Sequence, residues 1–179
     1  MSKTKKICIS GIVIAMYIVI MFVNQSFASQ AVQVRIATVV YSFSYIFPFL
    51  VVPIGIANAL SNLMMGGLGA LDVVGGFIAG VIVSGMVYLV RRYKLSMILI
   101  IPIIVLGNGL IVPIWLSYLL GMPYWALVLN VSLGQIPSGI ASYFLMKVLK
   151  KHMALLEGYE NDEEKRDDCY KSQSDIAEK

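Results

Sequence analysis

Between Met1 and Leu156 the chain carries one carboxylate, Asp72, and ten bases, a net of +9; the remaining residues, Glu157 to Lys179, carry nine acids and four bases, a net of −5. A run of this length with a single acid fits lipid as its solvent, because ionised groups are costly in hydrocarbon. Composition agrees. Hydrophobic residues make up 59% of the chain and its mean hydropathy is +0.82, more than a soluble domain of this size can hide from water.

Five apolar stretches can be read directly, at about 7–27, 36–66, 69–90, 96–120 and 124–147. A spanning helix needs about 20 apolar residues, so 36–66 is too long for one simple helix and short for two. The bases decide the count. They fall into three clusters, Lys3/Lys5/Lys6, Arg91/Arg92/Lys94 and Lys147/Lys150/Lys151, and short cytoplasmic loops collect such clusters. If all three are cytoplasmic, the number of crossings between successive clusters is even. That requires 36–66 to be two short helices, broken near Pro53, where a backbone donor is missing and the preceding residue avoids helical geometry. The expected fold is therefore an all-α integral membrane protein of six transmembrane helices, two of them short or broken. The expected domains are a transmembrane domain over 1–152 and a disordered acidic cytoplasmic tail over 153–179, with both termini cytoplasmic. Five helices is the alternative count. Ile7 to Val23 is longer than a signal-peptide core, so the first segment reads as a retained helix.

The chain offers little for catalysis. There is no phosphate loop of the G-x-x-x-x-G-K-[ST] type, no H-E-x-x-H, no G-x-S-x-G and no paired acid, and the single histidine, His152, follows two lysines. Cys8 and Cys169 lie at opposite ends without metal-ligand or disulfide spacing. No catalytic residue, metal or cofactor is expected. The basic clusters read as topology signals rather than a nucleic-acid surface.

What remains is a sparse set of polar residues inside apolar segments. Asn58 and Asn62 are four apart and share a helix face. Asp72 precedes an apolar helix, where it can serve as a cap or as a ligand contact. Arg35 stands alone at the expected external end of the second helix, with Gln33 two residues before it. Asn108, Asn130 and Gln135 complete the set. Trp115, Tyr118, Tyr124 and Trp125 read as an interfacial belt, or as rings on which a flat solute stacks. Gly76, Gly80 and Ser84 form a small-residue stripe suited to close helix contact, and Gly11 with Ala15 forms a second, suited to packing or to a partner subunit.

Several of these residues stand in a pattern that resembles the QueT family, the substrate-binding S components of energy-coupling factor (ECF) transporters proposed for queuosine precursors. Gln33-Val34-Arg35-Ile36 is similar to its Q-x-R-[IV], Gly55 to Asn58 to its G-x-A-N, and Leu71 to Gly76 to its I-D-V-V-x-G. Leu133-Gly134-Gln135 stands where the family tends to have L-G-E, and Gly11 with Ala15-Met16-Tyr17 looks like the helix-1 docking motif. The resemblance covers about 7–150. It implies a six-helix subunit of a bacterial cell membrane that captures a micronutrient outside and docks to a transmembrane T subunit carrying two ATPases. It also implies Gln33, Arg35, Asn58, Asn62, Asp72 and Gln135 as substrate-binding positions and Gly11 and Ala15 as docking positions. Two departures stand out: Thr38 replaces the Glu of R-x-x-E, and Gln135 replaces Glu. Both remove a carboxylate, which favours a neutral deazapurine or another planar, nucleobase-like solute over a cationic one. The alternatives are an S component for a different vitamin-like solute, or a small holin-like, pore-forming protein.

Overall fold

The computed structural model describes the backbone of residues 2–25, 35–64 and 68–177, and side chains within these ranges as far as His152. Every regular element among them is helical. Helix α1 spans Lys3–Gln25. A 3-10 helix follows over Ile36–Tyr45, and a single 3-10 turn, Pro48–Leu50, leads into α2, Val51–Met64. Helix α3 spans Ala70–Arg92 and α4 spans Ile100–Leu120, the latter preceded by a turn at Met97–Leu99. Helix α5 starts at Tyr124 and is helical to Ala177. Counting each 3-10 turn with the helix it opens gives the six helices expected. Three segments, Lys3–Asn24, Ala70–Arg92 and Met97–Leu120, are long and apolar enough to cross a membrane, while Ile36–Tyr45 and Pro48–Met64 are shorter apolar helices.

The break in 36–66 is not at Pro53. The chain leaves helical geometry at Phe47 (φ −118°, ψ 89°), directly before Pro48, which then opens the next turn. The reason is the rule that suggested Pro53, applied five residues earlier: the ring of Pro48 pushes the preceding residue into extended geometry. Pro53 is the third residue of α2, close to the start of the Pro48–Met64 helix, which continues through it despite the missing N–H.

Two compact units are distinguished, Met1–Phe144 and Leu145–Lys179. In the second unit the helical backbone runs to Ala177. Gly158 is its one glycine and it has no proline, so little in it stops a helix.

In the first unit α2 and α3 come close together because both lack side chains at the crossing. A Cβ on Gly80 would lie 2.9 Å from the Cα of Gly55, and one on Gly55 would lie 3.0 Å from the carbonyl of Phe77. Ser84, the third residue of the expected stripe, is fully buried; its hydroxyl donates to the Gly80 carbonyl, and Ser44 donates to its own carbonyl at 2.7 Å. Small residues and hydroxyls are the usual means of helix association where lipid removes the hydrophobic driving force. The outward positions are aliphatic and aromatic: Ile12, Phe22 and Ile114 are each more than 60% exposed. A water-facing surface of that kind is rare, but a lipid-facing one is ordinary.

Two of the three basic clusters meet at one end of this unit. Arg91 Nη1 donates to the carbonyls of Tyr45 (3.1 Å) and Ile46 (2.7 Å), closing the end of the 3-10 helix. Lys6 Nζ sits 5.8 Å from the centre of the Phe49 ring, in cation–π range. The loop at Tyr45–Phe49 thus lies between the N-terminal lysines and the end of α3, as four passes between those clusters require. Arg35, Asn62 and Asp72 lie at the other ends of the same three helices.

Candidate functional site

Three elements converge at that second end. Arg35 is the residue before the 3-10 helix and is half-buried. One of its N–H groups donates to Asn62 Oδ1 at 3.4 Å. Asn62, buried near the end of α2, donates from Nδ2 to the backbone carbonyl of Asp72 at 3.0 Å. The asparagine side chain thereby links the arginine to the start of α3.

Asp72 is not the cap of α3. Gly69 holds that position with φ 104°, a left-handed region where a side chain would be strained, and it makes no side-chain cap. Asp72 is three residues further on, in the first turn, where the helix dipole favours negative charge. Its Oδ1 accepts a hydrogen bond from the indole Nε1 of Trp115, on α4, at 3.0 Å. Trp115 is 9% exposed and belongs to a buried cluster with Ala79, Val112, Leu116, Leu127 and Val131. Of the four aromatic residues grouped in the sequence, Trp115 is therefore interior, whereas Tyr118 and Trp125 are 82% and 70% exposed, as a belt requires.

Asn58 lies one turn from Asn62 on the same face of α2, and it is committed elsewhere. Its Nδ2 donates to Tyr41 Oη (2.9 Å) and to the Gly76 carbonyl (2.7 Å), and its Oδ1 accepts from Tyr17 Oη (3.2 Å). The Tyr17 and Tyr41 rings stack at 6.0 Å with both residues fully buried. One amide thus joins α1, the 3-10 helix, α2 and α3. It lies one turn of α2 from the Asn62 that joins Arg35 to Asp72.

Gln135 and Thr38, the two positions where the sequence departs from the related pattern, are in contact: Thr38 Oγ1 is 2.6 Å from Gln135 Oε1. The same hydroxyl lies 2.7 Å from the backbone carbonyl of Arg35, which also accepts from Ser138 at 2.8 Å. Thr38, Gln135 and Ser138 are all buried. Arg35 is thus held by its own backbone to α5 and by its side chain to α2. Nothing in the sequence pointed to Ser138, Tyr17 or Tyr41 as site neighbours; their spacing is that of any helix face. Gln33 lies outside the described residues, as does the segment expected to gate the site.

Gly11 and Ala15 are exposed, and a Cβ on Gly11 would meet nothing within 4 Å. Their face of α1 is open in this chain. An apolar groove of 330 Å³ lies higher on α1, lined by Val19, Ile20, Val23, Asn24 and Ile36. Its walls suit hydrocarbon. Among the described residues no group of histidine, cysteine or carboxylate side chains could hold a metal ion.

Against known proteins, a family model described as QueT transporter matches residues 7–151, well over half of the chain. No curated protein and no solved structure matches.

Proposed function

The chain belongs to the QueT transporter family, and from that premise we propose that it is the substrate-specific S component of an ECF-type importer, binding a queuosine precursor or a related 7-deazapurine. A transporter family is not an enzyme class, and the chain's work on this reading is capture and hand-over, with ATP hydrolysed by partner subunits.

The observation that carries the reading is the joining of Arg35 and Asp72 through Asn62 at the end of the bundle opposite two basic clusters. If the clusters face the cytoplasm, this group faces outside, where a solute arrives. A guanidinium has five N–H donors and a carboxylate accepts through both oxygens, so together they complement a planar solute with acceptors on one edge and donors on another. Desolvating such a solute is tolerable only if its polar edges are met in this way. The neutral contact between Thr38 and Gln135 adds no charge. A neutral base such as the nitrile precursor suits the cluster better than the aminomethyl cation.

The open Gly11/Ala15 face supports docking to a transmembrane T subunit bound to two ATPases, because small residues let helix backbones approach. The proposed setting is a bacterial cell membrane, with six crossings and both termini cytoplasmic. Residues 153–179 are proposed as an acidic cytoplasmic extension dispensable for solute binding.

The test is isothermal titration of the purified full chain with queuine and with the aminomethyl and nitrile precursors. Tight binding of one base, lost in Arg35→Ala and in Asp72→Ala, is expected. If none binds, the deazapurine assignment is withdrawn.

A further inference from the structure

Trp115 lies in a seat built for it. A Cβ on Gly75 would fall 2.5 Å from the Cδ2 and Cε2 atoms of the indole, so the ring lies directly on the backbone of α3. Ala79, one turn further along α3, and Val112, Leu116, Leu127 and Val131 surround the rest. A buried indole N–H needs an acceptor, and here the acceptor is the one carboxylate of the apolar segments, Asp72 Oδ1, at 3.0 Å. Among the described residues that is the one hydrogen bond recorded to the Asp72 side chain, and it engages a single oxygen. Asp72 is 7% exposed as a residue, and its second oxygen keeps some of that accessible surface. A carboxylate in low dielectric has a strong need for donors. One oxygen is engaged by Trp115, and the other is open to a solute.

We infer that Trp115 is a positioning residue for solute binding: its indole N–H fixes the Asp72 carboxyl through Oδ1 and presents Oδ2 to the solute's N–H donors. The inference rests on the reading that this cluster binds the solute. It assigns to Trp115 a role that the aromatic belt does not include, and it makes Gly75 a requirement of the site because any side chain there unseats the ring.

The experiment uses the full chain in detergent with Trp125→Phe, which leaves Trp115 as the one tryptophan. Calorimetric titration with the nitrile and aminomethyl deazaguanines is compared before and after Trp115→Phe, with thermal unfolding of each protein measured alongside. Phenylalanine keeps a ring on Gly75 and loses the N–H. The expected result is at least a tenfold loss of affinity, since a hydrogen bond to a charged group is at stake, with a matching loss in Gly75→Ala. Before the substitution, solute addition should also change Trp115 fluorescence with the calorimetric midpoint. If Trp115→Phe unfolds, incorporation of benzothienylalanine at 115, the same shape without the N–H, replaces it. Unchanged affinity in the protein lacking the N–H overturns the inference and leaves the solute reading standing. A Trp125→Phe protein that binds neither base, where the unsubstituted chain also binds none, overturns both.

Discussion

Thr38 and Gln135 lie 97 residues apart in sequence, yet their side chains touch at 2.6 Å. Glutamates at both positions would place two carboxyl groups together, where like charges hinder each other's ionisation. The two substitutions should therefore not act independently. Gln135→Glu alone is expected to shift the preference for the aminomethyl cation over the neutral nitrile by about tenfold, or ~1.4 kcal/mol. Adding Thr38→Glu should contribute less than the first change. Titration of both bases against Gln135→Glu, Thr38→Glu and the double variant checks this, and an unchanged preference would remove charge at this contact as the basis of selectivity. Asn58 calls for a different prediction. Its amide makes three buried contacts across helices, and Asn58→Ala would take one hydrogen-bond partner from each of Tyr17 Oη, Tyr41 Oη and the Gly76 carbonyl. A loss of about 1–3 kcal/mol of stability is expected, seen as a lower midpoint of unfolding in detergent.

At the scale of elements, the ten-residue 3-10 helix at Ile36–Tyr45 is unusual, because such helices seldom exceed three or four residues. Its sequence helps explain it. The hydroxyls of Thr38, Ser42 and Ser44 each sit within hydrogen-bond reach of the carbonyl three residues back, at 2.6–2.7 Å. Those contacts reinforce the tighter turn, and Arg91 satisfies the carbonyls where the helix ends. The neighbouring contact between α2 and α3 depends on Gly55 and Gly80. Gly80→Leu would drive a side chain into the backbone of α2 and is expected to destabilise by about 1–3 kcal/mol or more. Gly85→Leu is the control on the same helix: a Cβ there meets only Val51 Cγ1, at 3.9 Å. Comparable unfolding midpoints for the two variants would show that this close approach does not hold the helices together.

At the scale of the molecule, the proposed topology makes Lys94 and Met122 face opposite sides of the membrane, since they stand beyond opposite ends of α4. Lys94→Cys and Met122→Cys, each placed in a Cys8→Ser, Cys169→Ser background, should label with a membrane-impermeant maleimide in vesicles of opposite orientation. In intact cells only Met122→Cys is expected to react. Reaction of both from one side would end the six-crossing assignment.

Much of this architecture was legible in the chain. The lipid setting, the helical class and the count of six follow from one acid in 156 residues and from where the bases fall, because the cost of charge in hydrocarbon acts on composition itself. The place of the break did not follow: Pro48 and Pro53 carry the same local signal, and only the helix that forms around Pro53 tells them apart. Asn58 and Asn62 share a helix face, as their spacing required, but one binds helices together while the other joins Arg35 to Asp72. Spacing specifies a direction from one helix and is silent about what stands opposite. The Trp115–Asp72 bond and the Thr38–Gln135 contact span 43 and 97 residues. Such pairings depend on how separate helices cross, and the crossings are set by small residues such as Gly55, Gly75 and Gly80, so the tertiary structure alone decided them.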